Sequence, residues 1–122
     1  MTAYELEVLT TLQSLQIPSH MRGFHQIQTA MTLVNSNPQY IHKMLKLYTK
    51  VGELHHASPR CIEGNIRNAL QSAKTDFHVQ KEVLGTNREL GVPEFLATLH
   101  RAVVIRVADK EVRNCFRMSI KP

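Results

Sequence analysis

The chain has 122 residues, 43% hydrophobic and 20% charged, with five Gly and five Pro, which excludes a disordered or fibrous polypeptide and fits one domain with a real core. The formal charge of +5 suits a polyanion such as nucleic acid, and its excess lies late: residues 1–37 carry Glu5, Glu7 and Arg22, whereas the last stretch carries Arg101, Arg106, Lys110, Arg113, Arg117 and Lys121 against Asp109 and Glu111. Cys61 and Cys115 form neither a disulfide framework nor a CxxC pair, and no leader-like segment or ~20-residue apolar run is present, so a reducing bacterial cytoplasm is expected and a membrane is not.

Helical punctuation recurs along the chain. Thr2 and Glu5 can form a capping box ahead of a helix from Ala3 to Leu15 that buries Val8, Leu12 and Leu15. Ile17-Pro18-Ser19 breaks it, and a second helix is expected from Met21 to Val34, with Phe24, Ile27, Met31 and Val34 on one stripe. Asn37-Pro38 then opens a third segment to Leu47, carrying Ile41, Met44 and Leu45, and a short fourth helix covers Tyr48 to His55. Ser58-Pro59 repeats the signal for a fifth helix to Ala73. A weaker segment spans Phe77 to Leu84, a polar loop contains Gly85 and Gly91, and a last helix runs from Pro93 to Ala108. The expected architecture is all-α: one compact bundle of about six helices over residues 1–108, followed by a basic tail over 109–122.

The stretch from Leu47 to Ala73 reads as a short helix, a tight turn and a longer helix, the grammar of a helix-turn-helix. Gly52 with Val51, and Ile62 with Ile66, can supply the small and apolar residues that two steeply crossed helices need. At about 100° per residue, Ile62, Ile66, Ala69, Leu70 and Ala73 share one side and leave Arg60, Gly64, Arg67, Asn68 and Gln71 on the other. Arg reads guanine O6 and N7 in the major groove, Asn and Gln read adenine, and Glu63 on the flank can accept from cytosine N4. Gly64 would let DNA approach closely. An ordinary solvated helix face carries the same residue types, so the pattern alone leaves both readings open.

Two runs carry a resemblance. Ile17-Pro18-Ser19-His20-Met21-Arg22-Gly23-Phe24, followed by Ala30-Met31 and Leu33-Val34, resembles the start of the DNA-binding effector domains of the sporulation-initiation regulator, stage-zero sporulation protein A. Ala57-Ser58 to Ile62-Glu63 and Ile66-Arg67-Asn68-Ala69-Leu70 is similar to that family's recognition helix, and Glu94-Phe95-Leu96 resembles the start of its last helix. The similarity covers Leu12 to Val107. It implies a helical DNA-binding domain acting in sporulation, with adjacent copies on tandem sites or a homodimer. By position, Glu63 and Arg67 match DNA-facing residues of the family and Asn68 stands where the family has a His. Gly64 replaces a base-reading arginine and Arg60 a small residue, so Arg60 is a candidate substitute from one turn earlier. Only about a dozen residues precede the similarity, which suggests a stand-alone member without the family's receiver domain.

The seven histidines include no i, i+4 pair, so neither a metal nor another cofactor is expected. His20 is expected to satisfy backbone groups at the start of the second helix. His55 and His56 lie in the turn before the recognition helix, where both can meet phosphate when protonated, a solvated turn being the simpler account. Cys61 reads as a small, partly buried helix residue rather than a redox switch. With no GxSxG, P-loop or paired acid and base, an enzyme is not expected. The reading is therefore a sequence-specific, double-stranded DNA-binding transcription regulator that contacts DNA through Arg60, Glu63, Gly64, Arg67, Asn68, Gln71, Ser58 and His56. The alternative is a protein-interaction module of the same fold that antagonises or partners a full-length regulator.

Overall fold

The computed structural model describes residues 1–120, with side chains described through 117, and places six α-helices and one short 3-10 helix among them. Thr2 caps the first helix, α1 (Ala3–Ser14): its hydroxyl accepts the Glu5 amide at 3.1 Å. Val8 and Leu12 on α1 and Leu15 just beyond it are all buried, as the sequence pattern requires. α2 (Arg22–Ser36) carries its expected stripe of Phe24, Ile27, Met31 and Val34 fully into the core. The start of α2 differs from expectation. Met21 is its N-cap, no side chain caps it, and His20 is exposed rather than bonded to the helix start.

The segment after Asn37 also divides differently. Asn37 accepts from the Gln39 amide at 3.2 Å, but Pro38 opens a tight 3-10 turn over Pro38–His42, closed by the Lys43 amide on the Tyr40 carbonyl at 3.0 Å. Lys43, at φ −136° and ψ 61°, breaks the chain direction, and α3 then runs unbroken over Met44–His55. The physical reason is the buried side: Leu47, Tyr48 and Val51 must share one face, which a helix boundary at Tyr48 would destroy. Ile41 and Met44 are only half-buried, and Leu45 faces solvent.

Ser58 caps α4 (Pro59–Gln71), Asp76 caps α5 (Phe77–Leu84), and Gly85 ends α5 in the left-handed region at φ 81°. α6 (Val92–Ile120) outruns its expected end at Ala108 by three turns. No Gly or Pro interrupts residues 94–120, and the extension is tied back to the body. Lys110 Nζ lies 2.6 Å from the buried carboxylate of Glu7, and Arg106 donates to the Thr11 hydroxyl at 3.0 Å and to the Val83 carbonyl. The last two residues of the expected tail lie outside the described ones.

α2 is the axial helix, touching α1, α3, α4 and α6. It approaches α4 closely. A Cβ on Gly23 would overlap the Asn65 carbonyl oxygen and sit 2.8 Å from Ala69 Cβ. Gly52 serves the α3–α4 turn likewise, since a Cβ there would overlap the Ala57 carbonyl oxygen. α1 and α6 meet at a polar contact, where the Tyr4 hydroxyl lies 2.8 Å from His100 Nδ1. Burial disfavours the imidazolium and lowers the His100 pKa below its ordinary 6.5.

Gly23→Ala must push α2 and α4 apart, so it should destabilise the domain by at least about 2 kcal/mol in urea unfolding. A loss under about 0.5 kcal/mol would mean the crossing yields freely. For His100, the unfolded state binds the proton more readily than the folded one. Its contribution to stability is therefore complete above about pH 6.5 and is lost as pH falls through the lowered folded value. His100→Gln should flatten that decline in denaturant midpoints measured from about pH 5 to about pH 7.5; an unchanged slope would assign it to other groups.

Candidate nucleic-acid interface

α4 has two chemically opposed faces. Ser58 accepts from the Cys61 amide at 3.1 Å and Pro59 occupies the first helical position, so the helix starts abruptly at the end of the turn His56-Ala57-Ser58. Ile62, Ile66 and Ala69 have no solvent exposure, while Leu70 and Ala73 are half-buried at the edge. Each of the two isoleucines stabilises this seating by roughly 1.5–3 kcal/mol. Arg60, Arg67, Asn68 and Gln71 are all exposed, and Glu63 and Gly64 lie half-buried between the two faces. Arg60, Gly64, Arg67 and Gln71 fall within about 60° of one another around the helix axis, so the structure brings the central part of the expected set onto one stripe.

Arg67 is already paired within the chain. Its Nη1 lies 2.8 and 2.7 Å from the two carboxylate oxygens of Glu63, one turn earlier. An exposed i, i+4 pair is worth only about 0.3–0.5 kcal/mol, against roughly 1–3 kcal/mol for a good bidentate contact to a base. The pair therefore orients the guanidinium without holding it against a stronger partner. A Cβ on Gly64 would meet only Arg67 Nη2, at 3.7 Å, so internal packing does not demand a glycine there. Gly64 leaves a shallow dip beside the arginine.

Arg60 makes no hydrogen bond or ion pair among the described residues. It sits in the first turn of α4, which carries no acidic residue, and there the helix dipole disfavours a cation. Helix stability thus gives no reason for an arginine at this position. An external anion, or a base edge that accepts hydrogen bonds, would.

The two turn histidines separate. His55 Nε2 is 2.8 Å from the Thr29 hydroxyl and stitches α3 to α2, whereas His56 is exposed and caps α3 in the left-handed region at φ 56°. Cys61 is exposed, not partly buried. The late basic residues are also less available than their number suggests. Arg106 and Lys110 bind inward, and Arg113 pairs with Asp109 at 3.1 Å, leaving Arg101 and Arg117 exposed without an ion pair among the described residues.

Sequence reasoning missed a groove of about 750 Å³ beside α4. Arg67, Leu70 and Gln71 form one wall, with Phe77 of α5 and Leu90 and Phe95 around the start of α6 completing it. Gln80 holds the intervening loop by donating to the Thr86 and Arg88 carbonyls at 3.1 and 2.6 Å, and Arg88 pairs with Glu94 at 2.6 Å. These contacts join residues whose spacing obeys no helical period, so no local pattern announces them. No three His, Cys, Asp or Glu side chains among the described residues come together in a way that could hold a metal. No helix among the described residues is long and apolar enough to cross a membrane.

A short helix, a three-residue turn and a longer helix with an exposed polar face, seated on a third helix through small residues, define a helix-turn-helix domain. The family described as sporulation initiation factor Spo0A C terminal matches residues 8–91, more than half of the chain, and the chain belongs to that family. Its domains are DNA-binding regulators of transcription in sporulation and not an enzyme family. The runs around Gly23 and from Ile66 to Leu70 lie inside the match, whereas Glu94-Phe95-Leu96 and all of α6 lie beyond it. No curated protein matches the chain.

Because Gly64 is not packed against, Gly64→Ala should raise stability by about 0.5–1 kcal/mol through helix propensity alone. Thermal unfolding of this variant beside the wild type checks it. A loss of stability would place an unseen packing role at that position.

Proposed function

We propose that the protein is a sequence-specific regulator of transcription that lays α4 in the major groove of double-stranded DNA. The observation that carries this reading is the exposed stripe of Arg60, Gly64, Arg67 and Gln71 on a helix whose opposite face is wholly buried. Arg60 and Arg67 read base edges, Asn68 and Gln71 pair with bases or phosphates at the flank, and Glu63 sets the Arg67 guanidinium and can accept from cytosine N4. Gly64 admits the groove edge. Ser58 keeps a hydroxyl proton to donate, and His56 is exposed at the same end of the helix, so both are positioned for phosphate. Adjacent copies on tandem sites fit the family, as does action in the cytoplasm on the nucleoid.

The departures from the family pattern bear on which sequence is bound. With Gly64 in place of an arginine and Arg60 one turn earlier, the cation lies closer to the N-terminal end of the recognition helix, where major-groove contacts concentrate. The target site should therefore differ from that of family members at the base pair those arginines read. The competing reading, a module that retains the fold but binds only protein, predicts weak duplex binding with no sequence preference.

Selection of bound sequences from a random duplex library, with a salt titration on the best binder, separates the two. A defined motif is expected, with a log–log salt slope of about 0.9 per phosphate contact. Arg67→Ala and Arg60→Ala should each weaken binding by about 1–3 kcal/mol and relax preference at one position. Motif-free binding that neither substitution alters would favour the protein-only module.

A further inference from the structure

The groove beside α4 is walled by Leu70, Phe77 and Leu90 and lined by the buried Ile17 and Phe95, and reading DNA through the exposed stripe of α4 does not require it. Its volume of about 750 Å³ falls within the range of small-molecule sites, roughly 300–1,000 Å³. Two features of the lining call for an occupant. The Thr75 hydroxyl lies buried at the groove with no hydrogen-bond partner among the described residues, and a buried polar group left unpaired carries a desolvation cost. Phe77 is 53% exposed although it stands beside an apolar lining that could cover it.

The charges around the groove decide what it takes. Each positive group there is already answered from within the chain. Arg67 is paired with Glu63, the start of α5 is capped by Asp76, which accepts from the Val79 amide at 2.9 Å, and the Gly91 amide at the start of α6 faces the Glu94 carboxylate. Glu89 is not answered: it lines the groove, and its carboxylate makes no hydrogen bond or ion pair among the described residues. The uncompensated charge is therefore negative, and the exposed ring of Phe77 attracts a cation as well. We propose that the groove binds an amphipathic organic cation, an apolar body carrying one ammonium group. The body covers Leu70, Phe77 and Leu90 and supplies most of the affinity by leaving water. The ammonium donates to the Glu89 carboxylate, and the Thr75 oxygen is a further acceptor in the same groove.

Three probes that share a naphthyl body and differ in the head group test this on the full chain: naphthylethylammonium, naphthylethanol and naphthylpropionate. Each is titrated into the isotope-labelled protein and followed by amide NMR. The ammonium should give saturable shifts confined to the groove, Phe77 and Leu90 among them. It should bind about three- to fivefold more tightly than the alcohol, the advantage of one exposed ion pair, and the carboxylate should bind most weakly. Glu89→Gln, at an exposed position, should erase the advantage of the ammonium and leave the alcohol as it was. Phe77→Ala, also on an exposed side chain, should weaken all three probes, and both variants should keep the helical circular dichroism of the wild type. Absence of saturable shifts from every probe would overturn the proposal. So would a carboxylate that binds as tightly as the ammonium, an ammonium preference that survives Glu89→Gln, or binding that Phe77→Ala leaves intact. The titration contains no DNA, so its failure leaves the DNA-binding reading untouched.

Discussion

The fold depends on one close crossing, where α2 passes over α4 with Gly23 against the Asn65 carbonyl and Ala69. Interiors are packed like crystals, so a missing methyl group at a crossing fixes the distance and angle between two helices. With α4 drawn onto α2 there, Ile62, Ile66 and Ala69 are forced inward, and Arg60, Arg67, Asn68 and Gln71 have no direction left but solvent. Gly52 imposes a second constraint at the other end by letting the Ala57 carbonyl fold back against α3. Two absent side chains thus set the pose of α4, and they do so from outside its exposed face.

Electrostatics then acts on a frame already fixed. The surplus of positive charge in the later sequence invites the view of a basic arm, but the folded chain spends much of it on itself. Arg106 and Lys110 clamp α6 to α1 and α5, and the Lys110 partner, Glu7, is buried and needs that cation for compensation. On α4, Arg60 has no ion pair among the described residues and Arg67 is held only by its exposed pair with Glu63, while Arg101 and Arg117 of α6 also stay exposed. A small number of well-placed cations on a rigid helix suits sequence reading better than a diffuse field, which attracts any phosphate backbone equally.

The match to the sporulation initiation factor family covers residues 8–91, which include α2, α3 and α4. Gly64 meets no tight packing and Arg60 makes no hydrogen bond or ion pair among the described residues, so both can change without disturbing the core. The exposed face of α4 can therefore vary on a constant scaffold. The extension of α6 is a separate addition: it leaves the core after Val103, is anchored by two charged side chains, and turns an apolar edge outward.

Much of the fold was legible in the sequence because helices announce themselves locally. Caps at Thr2, Asn37 and Ser58, prolines at helix starts, and the periodic stripes of α1, α2 and α4 are all written within a few residues of where they act. The two faces of α4 followed from the same periodicity, which is why the central residues of the candidate site could be named in advance. The misreadings share a cause. The boundary at Lys43 rather than Tyr48, the exposure of His20 and Cys61, and the partnering of His55 with Thr29 each depend on what a distant element brings alongside. The end of α6 is another case, since Ala108 carries no stop signal and contacts of Arg106 and Lys110 to Glu7 and Thr11 of α1 and Val83 of α5 hold the helix in place. Sequence by itself determined the helices, their apolar sides and the polar stripe of α4, because those are properties of a periodic backbone. Tertiary structure alone decided which cations stay available and which glycines are indispensable, because close approach and charge pairing arise only when residues far apart in the chain are brought within a few ångströms.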